Sequence, residues 1–216
     1  MFISDIFAQG GIVMWPLLGF SIVTLALILE RLLFWSQISR QQRRLVREVF
    51  HLYQRDPLAA SSRLAAFTHL PIARIFLAAL ELKDPTPEEF RLALESAGQA
   101  ELPLLKRFNT LFETVISVSP LLGLLGTILG LIRAFDSLNL GEVGGGETLN
   151  VTGGISEALV STAAGLVVAI VTLLFANSFR GLYRRQLAQI QDYGGQLELL
   201  YRRHYEHRGY TYAPPG

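Results

Sequence analysis

Three stretches of the chain carry no charged residue for nearly twenty positions or more. Residues 11–29 and 114–132 are nineteen residues each, and 158–179 is twenty-two. At about 1.5 Å per residue in a helix, each run nearly spans or exceeds a hydrocarbon core about 30 Å thick. Trp15 and the residues 32–35 are candidate anchors at the membrane interface. Glu30, Arg31, Glu113 and Arg133 stand at the ends of these runs and read as interfacial. Between the first two runs lies a long polar region with helical periodicity. Leu45, Val49, Leu52 and Tyr53 share one face of a basic segment over 37–55, which Asp56 and Pro57 break. Residues 58–67 and 72–82 read as short amphipathic helices, the second opened by Pro71. Thr86, Pro87 and Glu89 form a helix start with a capping box. That helix is expected to pass through Pro103, with a kink there, straight into the second apolar run.

This pattern predicts an all-α integral membrane protein, with three transmembrane helices extended into a cytoplasmic helical bundle. The expected divisions are an N-terminus over 1–10, a first transmembrane helix over 11–35 and a helical region over 36–113. A second transmembrane helix over 114–135, a short loop over 136–154, a third transmembrane helix over 155–179 and a helical tail over 180–216 complete the chain. Residues 137–154 contain six glycines and read as a flexible turn. They are not a phosphate loop, because no strand precedes them and no GK[ST] follows. The tail is expected to lose its order after about His207.

Charge then orients the spans. Residues 36–108 hold eleven Lys and Arg and the tail holds six, whereas 1–10 and 136–154 hold none. By the positive-inside rule, the large loop and the C-terminus are cytoplasmic and the N-terminus is periplasmic. Composition adds little that changes this picture. Of 216 residues, 50% are hydrophobic and 17% charged, and the net charge of +1 points to no nucleic-acid partner. The absence of Cys removes thiol chemistry and Cys-based metal sites. No metal site, nucleotide loop or nucleophile–base pair is visible; catalysis is not indicated and no cofactor is implied.

The candidate chemistry lies inside the spans. In SPLLGLLGTILGLIRAF, residues 119–135, Gly123, Gly126 and Gly130 line one helical stripe, and Gly126 and Gly130 form a GxxxG. Such a stripe is built for close helix contact, expected here between subunits. Thr127 places a hydroxyl beside that notch. In the third span Ala158, Thr162, Gly165, Ala169, Thr172 and Ala176 form a second face of small and hydroxyl-bearing residues. Either tight packing or an internal cavity accounts for it. Glu157 has two open readings as well: an intramembrane carboxylate facing a cavity or partner, or a first-turn residue favoured by the helix dipole.

SPLLGLLGTILGLIRAF, together with GISEALVSTAAGLVVAIVTLLFANSF after the short loop, resembles the second and third helices of the ExbB/TolQ/MotA proton-channel family. ILERLLFW at the end of the first span is also similar to that family. The resemblance implies a bacterial inner-membrane subunit, most similar to ExbB and TolQ, that forms a homopentamer. Its pore helices would surround an ExbD/TolR-like single-span subunit that carries the essential proton-bearing Asp. Proton-motive force would be coupled to a TonB-like protein or to other trans-envelope work. The resemblance also implies that Thr127, Thr162 and Glu157 line the pore or proton pathway. A MotA-like stator subunit and a non-conducting scaffold in the lipid bilayer are the alternatives.

The orientation is directly testable in a chain without native Cys. A cysteine at Gly145 is expected to react with an impermeant maleimide in intact spheroplasts, and one at Ser62 or Gln196 is not. Labelling at Ser62 would reverse the orientation.

Overall fold

The computed structural model describes residues 10–139 and 147–211. Among them lie six helices: α1 (Met14–Tyr53), α2 (Pro57–Ala65), α3 (Pro71–Leu80), α4 (Pro87–Leu105), α5 (Asn109–Asn139) and α6 (Glu147–Thr211). Three helical stretches, holding the second and third apolar runs whole and the first from Met14 onward, are long and apolar enough to cross a membrane. The fold is therefore all-α with three membrane-spanning helices. Residues 1–9, 140–146 and 212–216 lie outside the described residues, and with them most of the N-terminal segment, the GGG of the short loop and the end of the tail.

The chain divides into two compact units. The first comprises residues up to Arg31 and residues Phe108–Phe179. Here α5 and α6 run antiparallel, and their contacts descend one helix as they climb the other. A Cβ at Gly165 would stand 2.5 Å from the Ser119 carbonyl oxygen, and one at Gly123 would stand 3.0 Å from the Thr162 Cα. Further along, a Cβ at Gly130 would stand 2.7 Å from the Gly154 oxygen and 3.0 Å from the Ala158 Cβ. Val13, Met14 and Leu17 of the first segment bury themselves against Leu122, Leu129 and Ala164. Arg31 is only 2% exposed, with its guanidinium 5.2 Å from the centre of the Phe108 ring and 2.8 Å from the Glu30 carboxylate. The sequence places Arg31 at an interface; the structure buries it beneath an aromatic ring.

The second unit comprises Leu32–Arg107 and residues from Arg180 onward. Its core is built from the apolar faces of its helices. Leu45, Val49 and Tyr53 are buried as their spacing predicts, and they join Leu64, Leu70, Ile72, Phe76, Phe90 and Leu197. Phe90 stacks flat on Tyr201 at 4.1 Å, and the Tyr201 hydroxyl donates to the Pro85 carbonyl. Asp56 caps α2 by accepting from the Leu58 amide at 2.9 Å. The Thr86 capping box forms in both directions: the Glu89 amide donates to Thr86 Oγ1, and the Thr86 amide donates to the Glu89 carboxylate. The Thr86 amide first, and the Thr86 hydroxyl with it, donate to the exposed Glu89 carboxylate and hold it below its usual pKa. The two long cations Arg44 and Arg63 likewise lower Glu48, Arg63 having the larger effect.

Two boundaries differ from the sequence reading. The helix does not run on past Pro103 into the second apolar run; Pro103 stays within α4, and the chain is interrupted three residues later. Phe108 adopts φ +69°, a conformation that an L side chain with a Cβ rarely takes. Its carbonyl then accepts from the Phe112 amide at 3.0 Å to start α5. At the other end of the span, α6 begins at Glu147, so Gly153 and Gly154 are helical and not part of a turn. Gly154 is there for contact: a Cβ would stand 2.7 Å from the Gly130 oxygen and 2.8 Å from the Ala134 Cβ.

Two adjacent glycines should consequently respond with opposite sign. Gly153 has nothing near its missing Cβ, so Gly153→Ala is expected to stabilise by about 0.5–1 kcal/mol through helix propensity. Gly154→Ala overpacks the α5 contact and should cost about 1–3 kcal/mol. Thermal unfolding of the detergent-solubilised protein checks both. Equal shifts for the two variants would contradict the assigned contact.

Candidate functional site

The close approach of α5 and α6 puts three hydroxyls on one carbonyl. The oxygen of Gly123 lies within hydrogen-bond reach of Thr162 Oγ1 at 3.1 Å, Thr127 Oγ1 at 3.2 Å and Ser161 Oγ at 3.5 Å, which are alternative donors to it. Thr127 and Thr162 also hydrogen-bond each other directly through their hydroxyls. The single Thr127 proton has the Ala158 carbonyl as a further acceptor at 3.3 Å, and that of Ser161 has the same carbonyl at 2.9 Å. Glycine makes this geometry possible, because a side chain at 123 would hold the Ser161–Thr162 backbone away. The two threonines that the sequence singles out on separate helices thus form one hydroxyl pair. A hydroxyl can donate one proton and accept two hydrogen bonds, so such a pair can pass or orient a proton. It cannot hold a charge, since its hydroxyls do not ionise near neutral pH.

Glu157 does not join them. Its carboxylate pairs with Arg133 of α5, and its side chain is 16% exposed. Counting along α6, Glu157 lies five residues before Thr162, roughly 7–8 Å along the axis. The site therefore has two levels: a neutral hydroxyl pair and, beside it, an ion pair. The first-turn reading of Glu157 falls, because α6 starts at Glu147 and the carboxylate lies almost three turns inside the helix. A helix dipole acts within about one turn of the end. Its counter-charge is the Arg133 side chain instead.

Sequence reasoning missed two partners of this site. Arg133 was read only as the end of an apolar run, although a cation and an anion on neighbouring membrane helices are a signal for pairing. Gly11, at the start of the first run, lies against the Glu157 carboxylate. Nothing in the local pattern marks it, because the contact joins residues 146 positions apart.

The glycine stripe also differs in where it points. Gly126 faces the Ser161 side chain, with its Cβ position 2.5 Å from the Ser161 Cβ and 3.5 Å from the Val13 Cβ. Gly123, Gly126, Gly130 and Gly165 all face other parts of the same chain, not a second subunit as the sequence reading expects. Thr172, 0% exposed, donates to the Val168 carbonyl at 2.6 Å within its own helix.

Comparison with known proteins places this site in context. Residues 68–192 match the family described as the MotA/TolQ/ExbB proton channel family. The chain belongs to that family. Of its relatives, a Synechocystis sp. biopolymer transport protein named ExbB-like 3 is 64% identical over 197 residues, covering 91% of this chain and 94% of the relative. A second Synechocystis protein, ExbB-like 1, is 43% identical over 92% of this chain and 78% of its own length. The Tol-Pal system protein TolQ of Haemophilus influenzae is 28% identical over 90% of each chain. Thr127, Thr162, Glu157 and Arg133 all fall within the matched segment. With three apolar helices and this membership, the chain is a multi-pass membrane protein of the MotA/TolQ/ExbB family.

The intrachain placement of the stripe has a consequence for mutation. Gly126→Leu drives a branched side chain into Ser161 and should destabilise the subunit itself by about 1–3 kcal/mol. A lowered unfolding temperature of the isolated protein in detergent is the expected result. An oligomer that dissociates while the subunit keeps its wild-type unfolding temperature would return the stripe to a subunit interface.

Proposed function

We propose that this chain is an ExbB/TolQ-like subunit of an inner-membrane proton-channel motor. In this reading it forms a pentameric ring around ExbD/TolR-like helices, with its N-terminus periplasmic and its C-terminus cytoplasmic. The ring couples proton-motive force to TonB-dependent transport or to other trans-envelope work. The energy available is about 2.3 kcal/mol per charge per 100 mV. Support comes first from the family match over 68–192, and from relatives named ExbB-like and TolQ, which favour this reading over a MotA-like stator.

The geometry supplies a mechanism consistent with it. The hydroxyls of Thr127 and Thr162 offer a polar foothold on an otherwise apolar surface, and neither can trap the proton. Glu157, paired with Arg133, places a carboxylate at one end of that foothold. The proton-binding carboxylate itself is then supplied by the single-span partner. Single-chain packing leaves room for such partners: Leu121, Leu124, Ile128, Leu159, Val167 and Leu174 all stand exposed on the spans, a surface for lipid or other subunits to cover. In this scheme protons only move from one oxygen to another and no substrate is converted to a product, so the protein is read as a channel subunit and not as an enzyme.

The test removes polarity while keeping shape. Thr127→Val, Thr162→Val and Glu157→Gln are each expected to lower proton-driven activity by about 100-fold, a usual share for a positioned proton-handling group. Co-purification of the single-span partner should stay at wild-type levels. Thr172→Val should be mild, since its hydroxyl serves its own helix. Full activity in all three variants would turn the polar residues into packing groups and favour a non-conducting scaffold.

A further inference from the structure

Among the described residues Gly11 is the one glycine with a positive φ, +69°. That angle alone asks for little: Asn or Asp also tolerates the left-handed region. The space around Gly11 asks for much more. A Cβ there would overlap the Glu157 carboxylate, standing 2.5 Å from its Cδ and 3.1 Å from its Cγ. The Gly11 carbonyl meanwhile accepts from the Met14 amide at 3.2 Å, and the Trp15 amide donates to the Ile12 carbonyl at 3.3 Å. The turn that opens α1 is thereby fixed, with the bare Cα of Gly11 against the carboxylate. On the other side that carboxylate meets Arg133.

From this we infer that Gly11 is a positioning residue for Glu157. Its missing side chain is the seat that lets the carboxylate reach Arg133. When a side chain is added, either the backbone turn or the carboxylate must yield. The carboxylate is the far end of a flexible side chain and moves more cheaply than the hydrogen-bonded turn. The fold therefore survives, and Glu157 leaves its ion pair. Gly10 offers the contrast within the same turn: the atoms nearest its Cβ position belong to Met14, with Sδ at 2.6 Å, and none of these belongs to Glu157. The inference rests on the proposed role of Glu157 only in its consequence for activity, since the seating itself is a matter of geometry.

The test reads the carboxylate directly. Glu157 is modified with a carbodiimide and glycine ethyl ester in the detergent-purified full chain and quantified by peptide mass spectrometry. Gly11→Ala should raise the modification rate at Glu157 by about fivefold, the factor that the loss of one partly exposed ion pair carries. Gly11→Asn, which keeps the left-handed turn but still fills the seat, should do the same. Gly10→Ala should label as wild type does. Glu101, paired with Arg74 in the other unit, reports global loosening and should stay constant. Wild-type labelling of Glu157 in both Gly11 variants overturns the inference, and so does a parallel rise at Glu101. Proton-driven activity separates this from the functional reading. Raised labelling with full activity keeps the seat and removes Glu157 from the proton path, and full activity in Glu157→Gln does the same.

Discussion

The membrane-spanning unit depends on two helix backbones coming closer than side chains normally allow. Along α5 and α6 the contact is made by Gly123, Gly126, Gly130, Gly154 and Gly165, with Ala134 and Ala158 beside them. In hydrocarbon there is no hydrophobic drive to bring helices together, because lipid tails are as apolar as leucine. Association rests on dispersion and on hydrogen bonds between helices. Both grow as the backbones approach. The same closeness brings the Gly123 carbonyl within reach of three hydroxyls across and along the interface, so these hydroxyls find their acceptors inside the protein.

What this contact creates is a polar site with separated tasks. The Thr127–Thr162 pair is neutral and shared between two helices, and the Arg133–Glu157 pair is charged and lies nearer the start of α6. Placing an unpartnered carboxylate in the bilayer is costly, whereas an adjacent guanidinium offsets much of that cost. The first segment contributes Gly11 as a cover for the carboxylate and Val13 as a neighbour of Gly126. All three membrane segments therefore take part in one small site, although only two of them provide its polar groups.

The second unit is held by different physics. Its stability draws on the burial of Phe76, Phe90, Leu64 and Leu197 in an apolar core. Its polar groups act at helix ends and in paired contacts. The amide side chain of Gln186 donates to Gln42, both buried, and Arg74 forms an ion pair with Glu101. Hydrogen bonding to Glu101 raises the Arg74 pKa further above its usual value, so the guanidinium stays charged. Caps, stacked rings and amphipathic periodicity are local signals, and this unit follows them closely.

The sequence alone determined the helices, the three spans and the residue types of the site, because period, charge-free length and capping chemistry act within a few residues. Leu45, Val49 and Tyr53 are buried as their spacing requires, and the Thr86 box closes as its residues require. Tertiary structure decided the meaning of glycine and charge. Gly153 and Gly154 look alike in a glycine-rich loop, but only Gly154 meets another backbone, and both are helical. Phe108, not Pro103, takes the chain break, which no propensity at that position announces. Thr127 and Thr162 lie 35 positions apart and Gly11 and Glu157 lie 146 apart. Whether such residues meet depends on how antiparallel helices register, and register is set by the sum of contacts along the whole interface, a quantity no local stretch contains.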